Sequence, residues 1–249
     1  MKAMVLAAGL GTRLRPLTDD RPKALVEVAG RTLLEITLVR LRAFGIREVI
    51  VNVHHFADMV LEYLKKHDQF GMRVEVSREE ALLDTGGGLK KAAWFFQEGP
   101  RHDQPFILHN VDVLSTMNLQ QMVECHNRNQ ALATLAVQDR ETSRYLLFDG
   151  QHRLCGRQTG RDPKAEIVRP AQQTQARAFS GIHVISPQLL TRMTEEGAFS
   201  IIDCYLRLAA HGETILAFRA DEYYWRDLGQ PDNIRQATED VVKNPLLLS

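Results

Sequence analysis

The chain has 249 residues, 31 basic and 31 acidic side chains that balance to zero net charge, and 25% charged residues overall. That length suits one large domain able to bury a substantial core without disulfides or structural metal. The charge balance announces neither a basic face for nucleic acid nor an acidic tail.

The three cysteines, Cys125, Cys155 and Cys204, are odd in number, widely spaced and free of any C-x-x-C pair. A disulfide framework or zinc site is therefore not expected, and a reducing cytoplasm fits best. The opening Met-Lys-Ala-Met-Val-Leu-Ala-Ala-Gly has a short apolar stretch that runs directly into Gly11-Thr12-Arg13 without a cleavage site, so it reads as a buried strand rather than a secretory signal. No apolar run is long enough to span a bilayer, and a soluble, cytoplasmic protein without membrane contact is expected.

Lys2 to Ala7 predicts a central strand ending in a Gly-rich turn. Thr32-x-x-Glu35 forms a capping-box pattern, and Leu34, Leu38 and Leu41 then line one face of a helix that Gly45 ends. Glu48 to Val53 is rich in Val and Ile and predicts the next strand. Phe56 to Lys66 carries Met59, Val60, Tyr63 and Leu64 at helical spacing, and Met72 to Val76 alternates as a short strand. Gly86-Gly87-Gly88 introduces a helix through Lys91 to Phe96, Pro105 to His109 is a strand, and Asn118-x-x-Gln121 opens a further helix. This alternation predicts an α/β fold with a doubly wound, mostly parallel sheet.

The second half is less regular. Ala131 to Val137, Tyr145 to Phe148 and Ala178 to Ile185 read as strands, and the polar stretch between Gly156 and Gln175 as an exposed loop or hairpin. Ser200-x-x-Asp203 opens a helix to about Ala210, and Pro231 suits the first position of a final helix. With no repeat, low-complexity tract or linker, one domain over 1–249 is expected, its halves dividing near residue 130. No heptad seam or isolated apolar helix face points to a partner subunit, so the oligomeric state stays open.

The strongest chemical signal is Leu6-Ala7-Ala8-Gly9-Leu10-Gly11-Thr12-Arg13-Leu14-Arg15-Pro16-Leu17-Thr18, followed by Arg21-Pro22-Lys23. A glycine-rich turn after a strand lets backbone N–H groups approach phosphate oxygens, and several nearby cations suit a polyphosphate. The dinucleotide fingerprint is excluded because Leu14 stands where its third glycine belongs, and Gly11-Thr12-Arg13 is not a Walker A ending. Asp112, just past a strand, and Asp227 in Trp225-Arg226-Asp227-Leu228-Gly229 place acidic groups at strand ends, where ligands of open α/β sheets gather. Two carboxylates with phosphate oxygens and water suit a hard cation such as Mg²⁺.

The run from Ala7 to Gly30 resembles the signature of the sugar-phosphate nucleotidyltransferases, and the similarity covers nearly the whole chain. The short length and Asp84-Thr85-Gly86-Gly87-Gly88 look most like the N-acetylmuramate-1-phosphate uridylyltransferases, with mannose-1-phosphate guanylyltransferases next. The resemblance implies a Rossmann-like nucleotide-diphospho-sugar transferase fold, with a nucleotide-binding half over 1–130 and a sugar-binding half over 131–249. It implies that Arg13 holds the β and γ phosphates, Lys23 neutralises charge at the α-phosphate, and Asp112 and Asp227 hold Mg²⁺. It also places Leu6, Ala8, Gly9, Gly11, Thr12, Gly86 and Gly87 by the nucleotide, with Asn110, Gly181 and Arg144 by the sugar. The substrates implied are a nucleoside triphosphate and a sugar 1-phosphate, with UTP and N-acetylmuramate 1-phosphate leading.

The sequence departs from that pattern at Val111, where the family usually shows glycine before the first metal-binding aspartate. That side chain either narrows the pocket or packs beneath it. The family's Glu-Lys-Pro segment for the sugar phosphate has no clean equivalent; Asp162-Pro163-Lys164 is a poor substitute. Thr142-Ser143-Arg144-Tyr145 is either a sugar or phosphate contact or solvated surface. His54 and His55 point to opposite faces of an extended chain, so joint chelation is not expected, and His109 reads as a core residue. A non-catalytic nucleotide-sugar sensor and a cytidylyltransferase for a non-sugar phosphate are the rival readings.

Overall fold

The computed structural model describes residues 1–99, 102–160 and 165–248. Asp162-Pro163-Lys164 lies outside the described residues. The chain begins with β1 (Lys2–Leu6), a short hairpin of β2 (Glu27–Val28) and β3 (Arg31–Thr32), and α1 (Leu33–Ala43). It continues through β4 (Glu48–Val53), α2 (Ala57–Lys66), β5 (Arg73–Arg78), α3 (Asp84–Lys91), α4 (Ala93–Gln97), β6 (Phe106–Asn110), β7 (Val113–Ser115) and α5 (Leu119–Arg128). The second half contains β8 (Ala133–Gln138), β9 (Arg144–Phe148), β10 (Leu154–Thr159), β11 (Glu166–Ile167), β12 (Gln175–Ile185), α6 (Gln188–Arg192), α7 (Ile201–Ala210), β13 (Ile215–Arg219), β14 (Trp225–Asp227) and α8 (Pro231–Lys243).

The caps act where the sequence places them. Thr32 Oγ1 accepts from Glu35 N at 3.1 Å, although Glu35 turns its carboxylate to the Tyr63 hydroxyl instead of closing a reciprocal box. Asn118 Oδ1 accepts from Gln121 N, Ser200 Oγ from Ile202 N, and Pro231 is the first residue of α8. Gly45 follows α1 with φ +81°, a left-handed conformation that glycine adopts without strain.

The order β5-β4-β1-β6 is parallel throughout, with Ala3 beside Val49 on one side and Ile107 on the other. Beyond β6 the sheet is mixed. β12 runs antiparallel to β6, β8 and β9, whereas β13 pairs parallel with β8. The predicted hairpin between Gly156 and Gln175 includes the β10–β11 pair, Gly156 opposite Ile167.

The near-continuous apolar strands follow from burial on both sheet faces. Ala3, Val5 and Ile107 join Leu34, Leu38 and Leu41 in one cluster. Met4, Phe106 and Leu108 face the other way, into a cluster with Phe95 and Tyr205. His109 and His183 lie in this interior, and burial pushes their pKa values down to about 4 and about 3, so both are neutral at physiological pH. With the sheet interior filled, ligand space is left at the carboxyl ends of β1, β4 and β6 and across the antiparallel half.

Candidate active site

Two adjoining cavities open there. The smaller, about 200 Å³, is lined by Leu6, Ala8, Gly9, Lys23 and Asn52, and by the Glu79–Thr85 turn. The larger, about 1200 Å³, is lined by Arg13, Asp227, Gly181, Arg140 and Arg144, among others. Asn110 and Asp112 border both.

The loop after β1 is shaped by its glycines and by one buried anchor. Gly11 has φ +66°, and a Cβ there would stand 2.9 Å from Thr18 Cγ2. Thr18 Oγ1 donates to Gly11 O at 2.8 Å, tying the loop's two ends together. Leu14 is fully buried, which leaves Arg13 at the surface of the cleft. Gly9 has nothing within 4 Å of a would-be Cβ and opens into the smaller cavity. Gly11 and Thr12 line neither cavity and act as the loop's frame.

The turn at Lys23–Leu25 returns the chain to the sheet and aims Lys23 at Asp112. The Lys23 ammonium and the Asp112 carboxylate form an ion pair across 89 positions, each side chain only 14% exposed. Asp112 stands between β6 and β7. β7 pairs antiparallel with β14, and Val113 lies opposite Asp227. Leu228 N donates to Asp112 O at 2.7 Å and Gly229 N donates to Asp227 Oδ1 at 2.8 Å, so backbone bonds set both acidic residues.

The bare Cα of Gly229 marks the point where the charged groups meet. A Cβ there would lie 2.8 Å from Arg13 Nη2, 2.9 Å from Asp227 Oδ1 and 3.4 Å from Asp112 Oδ2. Two carboxylates converging beside an arginine would offer hard oxygen ligands to a cation. Among the described residues no group of three or more His, Cys, Asp and Glu forms a closed metal cage. The donor set fits Mg²⁺ held together with a substrate and does not resemble a structural metal site.

Asn110, Gly181 and Arg144 all border the larger cleft. Gly181 has φ +75° where the register of β12 against β8 slips between Phe179 and His183. A Cβ on it would meet Val113 Cγ2 at 2.8 Å and Asn110 Nδ2 at 3.0 Å, so glycine here is demanded by the chain as well as by cleft space. Val111 is buried in the core and donates its N–H to Leu6 O, and it also forms part of the wall of the smaller cavity.

The glycine triplet departs from expectation. Gly86 and Gly87 lie within α3 and line neither cavity. Their N–H groups both donate to Phe199 O, and a Cβ on Gly86 would stand 2.3 Å from the Phe199 ring. On Gly87 it would meet Gly197 O at 2.4 Å. The close approach these glycines permit is to the chain's own 197–199 segment, and the residues beside the cavities are Asp84 and Thr85. Gly88 borders Asn52 Nδ2 and Glu79 Oε1 in the same way, each 2.8 Å from a would-be Cβ.

Three groups of the site carry no motif in the sequence. Asn52 Oδ1 accepts from Ala7 N and Asn52 Nδ2 donates to the buried Glu79, whose other oxygen accepts from Leu83 N. This network braces the wall of the smaller cavity. Arg140 enters the larger one from the end of β8, a strand whose end the sequence did mark. His54 and His55 are not a metal pair: His54 Nδ1 pairs with Glu79 O, and His55 lies against Phe56.

Comparisons with known proteins bear on the family and the fold. The family model described as nucleotidyl transferase matches residues 2–244. The chain is 36% identical over 240 residues to an N-acetylmuramate alpha-1-phosphate uridylyltransferase of Caulobacter vibrioides, covering 92% of each. It is 29% identical to a mannose-1-phosphate guanyltransferase of Yarrowia lipolytica, covering 96% of this chain but 63% of that protein. A UDP-glucose pyrophosphorylase of Acinetobacter baumanii superposes with a TM-score of 0.79 at 19% identity, over 99% of this chain and 95% of the other, which supports the fold.

Proposed function

Since the chain belongs to the nucleotidyl transferase family and is a nucleotidyltransferase acting on sugar 1-phosphates, we propose that it joins UTP to N-acetylmuramate 1-phosphate or a related hexosamine 1-phosphate. The carrying observation is the meeting of Arg13, Asp112 and Asp227 around Gly229, with Lys23 on Asp112, at the junction of the two cavities.

In the proposed reaction an oxygen of the sugar 1-phosphate attacks the α-phosphorus of the nucleotide. A new P–O bond forms, the bond to the β-phosphate breaks, and pyrophosphate leaves with the electron pair. The attacking oxygen is already anionic, so no general base is needed. The protein's work is to hold two mutually repelling anions in line and to spread the charge that develops. Arg13 at the rim of the loop is the cation for the β and γ phosphates, while Lys23 holds Asp112 in place through their ion pair and offsets negative charge near the α-phosphate. Gly9 leaves the backbone after β1 open to the nucleotide on the side of the smaller cavity. A Mg²⁺ ion held by Asp112 and Asp227 would add electrostatic stabilisation of the phosphate oxygens.

The choice of UTP and N-acetylmuramate 1-phosphate rests on similarity to a relative that this chain matches over nearly its whole length. GTP with mannose 1-phosphate is the second reading, supported by guanyltransferases that the chain matches over a smaller share of their length. The site retains its arginine, lysine and both aspartates, which favours an enzyme over a binding-only descendant. The test is pyrophosphate release with purified protein and Mg²⁺, crossing the common nucleoside triphosphates against α-sugar 1-phosphates. Strong release for UTP with N-acetylmuramate 1-phosphate is expected. Release for another pair alone would reassign the substrates, and silence across all pairs with nucleotide still bound would overturn the catalytic reading.

A further inference from the structure

Arg140 is a guanidinium in the larger cleft without an acidic partner. It forms no salt bridge within 4 Å among the described residues, whereas its neighbours Asp139 and Arg177 pair with each other. Its Cζ lies 3.8 Å from the centroid of the Trp225 ring, whose Nε1 donates to Ser180 O. Arg140 Nη2 donates to Phe179 O at 2.7 Å, while Nε is enclosed with no partner among the described residues. Burial lowers its pKa from the ordinary arginine value, and the charge of Asp227 opposes that shift. A desolvated cation stacked on one face and fixed at one edge is set in position, and with Asp227 acting on it only from beyond 4 Å it has no paired carboxylate among the described residues.

Its surroundings indicate what anion belongs there. Trp225, Phe179, Ser180 and Gly181 all line the same cleft, and Asp227 follows Trp225 by two residues on β14. Arg140 therefore stands between the corner where Arg13, Asp112 and Asp227 meet and the strand β12 that bounds the sugar side. The cavity wall on the nucleotide side does not include it. A phosphate bound beside that corner would share its cleft with this guanidinium.

We propose that Arg140, held flat on Trp225, is the cation that binds the phosphate of the sugar 1-phosphate and presents it for attack. This assignment rests on the reaction proposed above. It makes Arg140 a determinant of acceptor binding, distinct from Arg13 and Lys23 on the nucleotide side. Trp225 is its platform, and Phe179 O fixes the orientation.

The chain has two tryptophans, and Trp94 is exposed on α4, so a Trp94→Phe background leaves Trp225 as the sole indole reporter. In that background, inorganic phosphate and N-acetylmuramate 1-phosphate should each shift Trp225 emission saturably, and unphosphorylated N-acetylmuramate should not. An equal shift from the unphosphorylated sugar would assign Arg140 to the carboxylate and overturn the proposal. So would the absence of any phosphate-dependent shift together with equal calorimetric phosphate affinity in wild type and Arg140→Met. With the productive pair of substrates, Arg140→Met should raise KM for the sugar 1-phosphate by about ten- to a hundredfold. KM for the triphosphate should stay within about twofold, and Arg140→Lys should fall between, because it keeps the charge but loses the planar fork. Equal KM changes for both substrates, or none, would reduce Arg140 to a structural brace. Silence of the wild type with every substrate pair would overturn the reaction, while the phosphate-dependent emission would still report on Arg140.

Discussion

Lys23 and Asp112 are joined by an ion pair although they are separated by 89 positions and belong to different loops. The pair links the turn at Lys23–Leu25 to the acidic corner. Truncating Lys23 therefore removes a cation from the site and leaves Asp112 without its counter-charge. Lys23→Ala is expected to lower kcat by about a hundredfold or more, by the measure of a deleted electrostatic donor. Its melting temperature should move little by comparison, since the pair is a small part of the core. Kinetics beside thermal melting will separate the two. A parallel collapse of both would assign Lys23 to folding.

Asp112→Asn and Asp227→Asn test the cation. In Asp227→Asn the amide oxygen would still accept the Gly229 N–H, so the local backbone should persist while the charge is lost. Nucleotide binding is expected to survive in both variants, with turnover at limiting Mg²⁺ falling on the order of a hundredfold or more. A Mg²⁺ titration of the rate should shift to higher concentration. Wild-type turnover at limiting Mg²⁺ would remove these residues from the metal site.

Two glycine substitutions should have opposite signatures. Gly229→Ala places a methyl group 2.8 Å from Arg13 Nη2 and 2.9 Å from Asp227 Oδ1, at the tip of a flexible side chain and beside a cleft. It should depress activity while leaving stability nearly intact. Gly86→Ala places its methyl 2.3 Å from the Phe199 ring and 2.9 Å from Phe199 O, inside the protein. It should destabilise by about 1–3 kcal/mol through overpacking. Denaturant unfolding and steady-state rates on both variants will check the contrast, and equal effects would contradict the assignment of the two sites.

Stability should fall on mild acidification. His109 and His183 are held near 4 and near 3 by burial, below the value of about 6.5 for an unfolded histidine. Their contribution is fully present above about pH 6.5. Below that the unfolded chain binds more protons, and stability is lost as pH falls toward the folded values. Within that window each such histidine contributes a slope of about 1.4 kcal/mol per pH unit. Chemical denaturation from about pH 7.5 to about pH 4.5 should therefore show a declining unfolding free energy. A flat profile would show that these rings take up protons in the folded protein as readily as in the unfolded chain.

Much of the framework was legible in local residue patterns because the physics that makes it is local. Alternating caps, apolar stripes and Val/Ile runs marked α1, β4, α2, α5, α7 and α8 within a few positions. The strand–glycine–arginine order likewise located Arg13 and the loop around it. The three-residue strand β7 left no such trace, and of β14 only the acidic end at Asp227 was marked, because strands that short have no periodicity to read. Yet their antiparallel pairing is what brings Asp112 beside Asp227.

The glycine triplet shows the converse limit. Sequence reveals that a side chain is absent at Gly86 and Gly87, and only the fold reveals that Phe199 and Gly197 fill the space. Arg140 is the extreme case, a single arginine at a strand end that any solvated surface would accommodate. Its position against Trp225, much later in the chain, depends on β14 returning beside β7 and on the long strand β12 carrying Phe179 underneath. The sequence by itself determined the class of fold, the glycine-rich loop after β1 and the family, since these rest on contiguous residues and on backbone geometry. The tertiary structure alone decided which charges meet and which remain unpaired, because that depends on distances between segments whose separation along the chain carries no information about their separation in space.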